Sequence, residues 1–338
     1  MYPINQIRES LMTTQHHSTN ALRSIKHQFG DYLGLMIALL LMIGLFSYLS
    51  QYFLSLDTFT TIANEIPAVA VTAVGMTFIL IIGGIDLSVG SVMALASAVA
   101  GIAMLQWHWS LLPAVGLAML TGLLTGLVNG AISVGWRLPS FIVTLGMLEV
   151  ARGGAYIATD SKTQYIGGAI DWLSAPVAGQ LSPSFFIAIA IVIIAQIVLV
   201  KTVFGRYMVG IGTNEEAIRL AGVDPRPVKI AVFAITGLLA GLAGIMQASR
   251  LEAADPNAGI GAELVVIAAV VIGGTSLMGG RGSVANTFLG VLLISVLEAG
   301  LAQIGASEPT KRIITGCVII VAVVLDMYRE RRRNRRSH

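Results

Sequence analysis

Apolar residues gather into ten runs along this chain, each near the roughly 20 residues that carry a helix across about 30 Å of hydrocarbon, or fewer where protein shields them. The runs are Tyr32 to Ser50, Ile66 to Ile82, Ser88 to Leu105, Leu111 to Ser133, Pro139 to Ala158, Pro183 to Val200, Val228 to Met246, Leu264 to Leu277, Val284 to Gly305 and Ile313 to Tyr328. The pattern predicts an all-α polytopic membrane protein of about ten transmembrane helices. An even number of crossings puts both termini on one side. Residues 1–31 then form a polar tail, 32–328 the membrane domain and 329–338 a short basic tail.

The loop 201–229, KTVFGRYMVGIGTNEEAIRLAGVDPRPVK, is too polar for lipid and carries its own helix punctuation. Thr213 and Glu216 have the spacing of a capping box, in which each side chain caps the other's backbone N–H. Gly222 is the residue that turns left-handed most easily at a helix end, and Asp224-Pro225 prevents resumption. The predicted helix is Asn214 to Ala221, with Glu215 and Arg219 four apart, a spacing that supports a helix by a few tenths of a kcal/mol. Ala217, Ile218, Leu220 and Ala221 form an apolar surface that so short a helix cannot bury alone. It must dock, either on lipid headgroups or on a separate protein.

Composition agrees with a membrane bundle. The 338 residues are 55% hydrophobic and 12% charged, against about 25% charged in soluble domains. The 37 glycines favour close helix approach where lipid gives no hydrophobic drive for packing. The single Cys317 excludes a disulfide framework and a cysteine metal site. His16-His17, in a polar tail, lacks the geometry of a metal site, and no metal is expected. The tail before Tyr32 reads as a retained segment followed by an uncleaved span. Of the 21 Lys and Arg, sixteen fall on the side of the termini and the loop 201–229, including six arginines from Arg329 to Arg336. Four, Lys162, Arg250, Lys311 and Arg312, fall on the other side, and Arg152 lies within a span. Positive charge is retained in the cytoplasm, so both termini and the loop 201–229 are expected there. The arginine tail directly follows a span, which makes it an orientation signal and an anchor for anionic membrane lipid rather than a nucleic-acid site.

Two spans stop at paired glycines. The second ends in Gly83-Gly84-Ile85-Asp86-Leu87-Ser88-Val89-Gly90, and the eighth in Gly273-Gly274-Thr275-Ser276-Leu277-Met278-Gly279-Gly280. Paired glycine-broken segments suggest an internal repeat around a central pathway; tight turns using positive φ are the simpler alternative. Asp86 has only backbone N–H groups and Ser88 as local partners. Charges inside spans cost a few kcal/mol each, so each needs a partner or a purpose. Glu149 and Arg152, three apart on one helix, are expected to neutralise each other. Asn129 and Glu298 have no such partner and either hydrogen-bond a neighbouring helix or line the route of a polyhydroxylated solute. Trp107, His108 and Trp109 read as an interfacial anchor.

Three stretches, GMTFILIIGGIDLSVGSVMAL (Gly75 to Leu95), GRYMVGIGTNEEAIRLAGV (Gly205 to Val223) and AAVVIGGTSLMGGRGSVANTFLG (Ala268 to Gly290), resemble the permease subunits of ribose, xylose and galactose ABC importers. They stand in the same order, and the resemblance covers nearly all of the chain after about residue 35. It implies an importer permease fold in the bacterial inner membrane whose short cytoplasmic coupling helix, with Thr213, Asn214, Glu215, Glu216, Ala217, Arg219, Ala221 and Gly222, engages a separate ATPase subunit. It implies also a second permease copy, identical or a sister chain, and a periplasmic sugar-binding protein. Arg250, Glu252 and Asp255 in an external loop are the docking candidates for that protein. ATP and magnesium would sit on the partner, with no cofactor on this chain.

No glycine cluster reads GxxxxGK followed by Ser or Thr, so the chain lacks the Walker route to ATP hydrolysis. A secondary transporter, the main rival, would want carboxylates or histidines at the midplane of broken helices, and only Glu149 and Glu298 qualify. A membrane enzyme would need a metal or nucleophile constellation, which no loop contains. Ribose-like pentoses lead as cargo, then other aldoses, then furanose signalling molecules or sugar alcohols.

Overall fold

The computed structural model describes residues 32–177 and 179–334; the tail 1–31 with His16-His17, and Arg335 and Arg336, lie outside the described residues. Eleven helices account for the described fold: α1 Tyr32–Leu49, then α2 Leu56–Ile81, α3 Val89–Leu105, α4 Leu111–Gly135, α5 Ser140–Thr159, α6 Pro183–Lys201, α7 Val203–Leu220, α8 Pro225–Leu251, α9 Ala262–Ile272, α10 Val284–Gln303 and α11 Glu308–Asn334. A two-stranded antiparallel ribbon joins β1 (Gln164–Tyr165) to β2 (Ala253–Ala254). Seven of the described helices, α1, α2, α4, α5, α6, α8 and α10, are long and apolar enough to cross a membrane; α3 and α9 are shorter apolar helices.

Helix starts follow local chemistry. Ser55, Ser182, Thr202, Asp224 and Ser283 each accept a backbone N–H of the first turn through a side-chain oxygen, satisfying donors that a helix leaves orphaned. The Ser55 cap explains why α2 begins at Leu56 rather than at Ile66. Its polar first turns, with Asn64 and Glu65, are held to the neighbouring segments by Asn64 Nδ2 to the Gln180 carbonyl (2.9 Å) and by Glu65 to Arg250 (2.9 Å).

α4 and α8 lie antiparallel with their backbones in contact. Gly122, Gly126 and Gly130, four apart on α4, face Gly237, Phe233 and Ile230 on α8, and a Cβ on Gly122, Gly126 or Gly237 would collide with a carbonyl across the seam. This is the small-residue packing that lipid-embedded helices use.

The helices alternate in direction between two ends. One end, called here the basic end, gathers Arg137, Lys201, Arg206, Arg219, Arg226, Lys229 and Arg281 at the ends of helices or in the turns between them. Residues 32 and 334 both lie toward it, since α1 packs there through Tyr32 and Ser283 (3.4 Å), and α11 begins at the opposite end and runs back.

Two segments depart from simple crossing. After α2 reaches the basic end, residues 82–88 turn back into the bundle: Ile85 N–H donates to Ser140 Oγ (2.9 Å) and Leu87 N–H to Thr144 Oγ1 (3.1 Å) one turn deeper. α3 therefore starts inside the bundle. From the opposite end, the loop after α8 also dips inward. Ala254 meets α3 at Gly101, whereas Gly259 meets it at Gly90, eleven residues and about 16 Å deeper. α9, 11 residues long, starts from that depth, which is why its run spans only Ala262–Ile272 instead of Leu264 to Leu277.

The expected repeat is thus corrected. The counterpart of the 82–88 break is 252–261, entering from the other end, and 273–283 is a turn at the basic end between α9 and α10. The glycine pairs do share a local role, since α2 and α9 each end on a left-handed glycine, Gly83 (φ 76°) and Gly274 (φ 82°).

Candidate functional site

The polar helix begins one residue later than its spacing predicts. Thr213 is still helical, so its hydroxyl bonds back to the Val209 carbonyl (2.7 Å) and is not a cap. Asn214 leaves helical geometry (φ −161°, ψ 95°), and its Oδ1 accepts the Ala217 N–H (3.0 Å). Glu216 pairs with Arg219 (3.4 Å) instead of reaching back. The capping box is absent because residues 203–213 are already helical, which spacing within 213–222 could not reveal. The predicted stop forms: Gly222 is left-handed (φ 86°), and Val223 N–H bonds the Ile218 carbonyl (3.2 Å).

The short helix is tied to the bundle on one side. Glu215 Oε2 meets Lys229 Nζ at the start of α8 (2.9 Å), Glu215 Oε1 meets Arg219 (3.3 Å), and Ile218 packs against the core and over Gly210. Glu216, Ala217, Arg219, Ala221 and Gly222 are exposed, as is Leu220 at 81%.

Just before the kink, three backbones converge. Gly280 N–H donates to the Ile81 carbonyl at the end of α2 (2.8 Å). A Cβ on Gly212 would strike that carbonyl and Gly280, one on Gly280 would strike Thr213, and one on Gly279 would crowd Gly212 and Gly83. Both glycine motifs therefore meet each other and the root of the polar helix. Gly84 lies beside Ser140, and Gly273 abuts Asn286 and Thr287 on α10.

Deeper in, Asp86 (2% exposed) accepts the Ser88 N–H (2.9 Å) and Ser88 hydroxyl (2.6 Å) through one oxygen. Asn129 Nδ2 donates to that hydroxyl (3.0 Å). Asp86, Ser88 and Asn129 form one chain. Asn129 Oδ1 is buried with no protein partner. Gly90, two residues on, abuts Gly259 and Glu263.

The Glu149–Arg152 pair does not form. Arg152 Nη1 donates to the carbonyls of Pro256 (2.5 Å) and Ala258 (2.8 Å) in the dipping loop, whose unpaired carbonyls offer a fixed cradle. Glu149 is exposed near the middle of α5, on a face where Gly146 and Gly153 have nothing within 4 Å of an added Cβ. Glu298, also exposed, lies toward the opposite end, where it feels the charges of Glu65, Glu308 and Lys311. At that end Arg250 pairs with Glu65, Glu252 accepts the Tyr165 hydroxyl (3.0 Å), and Asp255 accepts the Asn257 N–H (2.9 Å). The carboxylate beside it pushes the Tyr165 phenol above its ordinary pKa. No cluster of three or more metal-ligating side chains occurs among the described residues.

Sequence reasoning passed over Gly212, the kink at Asn214 and the α4–α8 seam. The four-residue spacing of Gly122, Gly126 and Gly130 was a usable signal for the seam; nothing local marks Gly212 as a contact.

Residues 58–323 match the family described as "Branched-chain amino acid transport system / permease component". The chain is 38% identical over 298 residues to the ribose import permease protein RbsC of Escherichia coli K12, covering 86% of this chain and 92% of the relative. It is 33% identical over 309 residues to the L-arabinose ABC transporter permease protein AraH of Azospirillum brasilense, covering 89% and 88%. It is 31% identical over 292 residues to the autoinducer 2 import system permease protein LsrC of Photorhabdus luminescens, covering 86% and 88%. No solved structure matches the chain.

Proposed function

Since this multi-pass chain belongs to the permease family described as "Branched-chain amino acid transport system / permease component", we propose that it is the membrane subunit of an ATP-binding-cassette importer for a monosaccharide. Relatives named for ribose and for L-arabinose import put a pentose first; one named for autoinducer 2 import keeps a small furanose-type signal as the second reading. ATP hydrolysis belongs to a separate subunit, which takes ATP and magnesium. The basic end faces the cytoplasm, as the distribution of Lys and Arg implies.

The observation that carries the mechanism is the convergence of Ile81, Gly212 and Gly280. The ATPase subunit grips the exposed side of the short helix, at Glu216, Ala217, Arg219 and Leu220. Displacement of this helix presses its root on the end of α2 and on the α9–α10 turn. The end of α2 runs directly into residues 82–88, so the same displacement reaches Asp86, Ser88 and Asn129 inside the bundle. A rigid element with two positions is what such coupling requires.

Glu149 supports a pathway between two permease copies. A lipid-facing carboxylate at mid-span costs at least about 2.5–3.5 kcal/mol, so that face of α5 borders water or a second copy. Arg250, Glu252 and Asp255, with Glu298 nearby, form the polar rim on which the sugar-binding protein docks. Uptake into proteoliposomes tests the reading: transport that needs ATP and the added ATPase subunit supports it, and accumulation driven by a proton or sodium gradient alone ends it.

A further inference from the structure

A second feature at the basic end is a pocket of about 330 Å³ between the α4–α5 turn, the short helix of α7 and the start of α8. Four cations line it, Arg137, Arg219, Arg226 and Lys229, against one carboxylate, Glu215. Both Glu215 oxygens are occupied, one by Arg219 (3.3 Å) and one by Lys229 (2.9 Å). Among the described residues, the guanidinium groups of Arg137 and Arg226 have no ion-pair or hydrogen-bond partner. The pocket is thus a concave site with net positive charge and two free planar donor groups, the chemistry that recognises phosphate.

Arg137 makes the case stronger than a scatter of orienting charges. It occupies a left-handed conformation (φ 54°) one residue past the α4 cap, where Leu138 N–H returns to the Ser133 carbonyl (3.0 Å). Glycine takes that position without steric cost, and a side chain there is disfavoured. The residue held in it is an arginine, and it lines the pocket. Its neighbours are apolar and open: Trp136 is 72% exposed and Leu138 45%, and Phe233, Ile82 and Val134 form the inner wall. Aromatic residues at this level mark the headgroup region of a bilayer, and basic pockets between membrane helices hold anionic headgroups.

We propose that this pocket binds the phosphate of an anionic phospholipid, with Arg137 and Arg226 as its principal ligands and the acyl chains leaving past Trp136 and Leu138. One bound lipid would then touch the α4–α5 turn, α7 and α8 together. It would hold the short helix against the bundle and make the coupling element sensitive to the membrane's anionic lipid content. The site is independent of which solute is carried.

The test is lipid binding by the full-length chain in detergent, read by mass spectrometry during titration with phosphatidylglycerol or phosphatidylcholine. Phosphatidylglycerol should bind about tenfold more tightly, since both lipids carry the phosphate but the choline cation of phosphatidylcholine is repelled by the four basic residues of the pocket. Arg226→Gln and Arg137→Gly should each remove about tenfold of that affinity, and Arg206→Gln, an exposed cation outside the pocket, less than twofold. Arg137→Gly also separates binding from folding: it should raise the melting temperature of the lipid-free chain while lowering phosphatidylglycerol affinity. Equal losses in all three variants would overturn the proposal. So would stabilisation of the wild type by inorganic phosphate with no response to phosphatidylglycerol, which would make the site one for a soluble anion. Variants that keep the lipid but lose the ATPase subunit in co-purification would assign the pocket to that partner instead.

Discussion

The Gly280 N–H donates to the Ile81 carbonyl across 2.8 Å, joining the turn before α10 to the end of α2 at the spot where Gly212 of α7 touches both. Apart from the Thr213 hydroxyl beside Gly280, backbone meets backbone at this junction, so a displacement of α7 acts on the main chain and rotamer changes absorb little of it.

Gly212→Val should therefore leave a membrane-inserted chain but reduce ATP-coupled uptake by at least about tenfold, a barrier increase of about 1.4 kcal/mol. Gly116→Ala, where an added Cβ meets nothing within 4 Å, should be neutral or slightly stabilising. Uptake per mole of reconstituted protein decides it, and wild-type uptake by the valine variant would count against the junction as a mechanical link.

Asn214→Ala removes the cap of the short helix and should cost it about 1 kcal/mol. Hydrogen exchange is the direct measurement. Exchange should accelerate at residues 215–221 with no change in α4 or α8, whereas Thr213→Ala, which loses only a back-bond to Val209, should leave those amides unaffected.

Asp86→Ala strands both the Ser88 N–H and its hydroxyl in a buried site and should lower stability by about 1–3 kcal/mol. Asp86→Asn keeps an acceptor oxygen for those two donors and should cost less. Thermal unfolding in detergent compares them; if the two variants melt together, the hydrogen-bond account of Asp86 is wrong.

The chain's single cysteine, Cys317, makes a cysteine-free background accessible. On Cys317→Ser, Glu149→Cys in the assembled transporter should react with a charged maleimide. Ile194→Cys, exposed on the apolar α6, should not. Equal protection of both would place Glu149 away from any aqueous path.

The fold was legible where composition alone decides it. Each of the ten apolar runs falls on a helix, seven of them long and apolar enough to cross a membrane, because lipid demands that every backbone group be satisfied within its own helix. What the runs could not show was where a helix starts in depth. Ser88 to Leu105 reads as a crossing, yet α3 begins inside the bundle, because Ser140, Thr144 and Asn129 supply partners that an extended segment otherwise lacks. Those partners sit 41 to 57 residues away along the chain. The same limit explains Arg152: its neighbour Glu149 is three residues away, but the carbonyls it uses belong to a loop 104 residues on. The exposed loop helix was the opposite case, since Gly222 and Asp224-Pro225 act locally and its end was predicted correctly.

The glycine seam between α4 and α8 has a bearing on how such a machine divides its labour. With Gly122 and Gly126 of one helix resting on the carbonyls of Gly237 and Phe233 of the other, neither helix can roll or slide without main-chain collision. That pair behaves as a chassis, and the moving parts during a transport cycle must be sought among the segments whose contacts run through flexible side chains or short breaks.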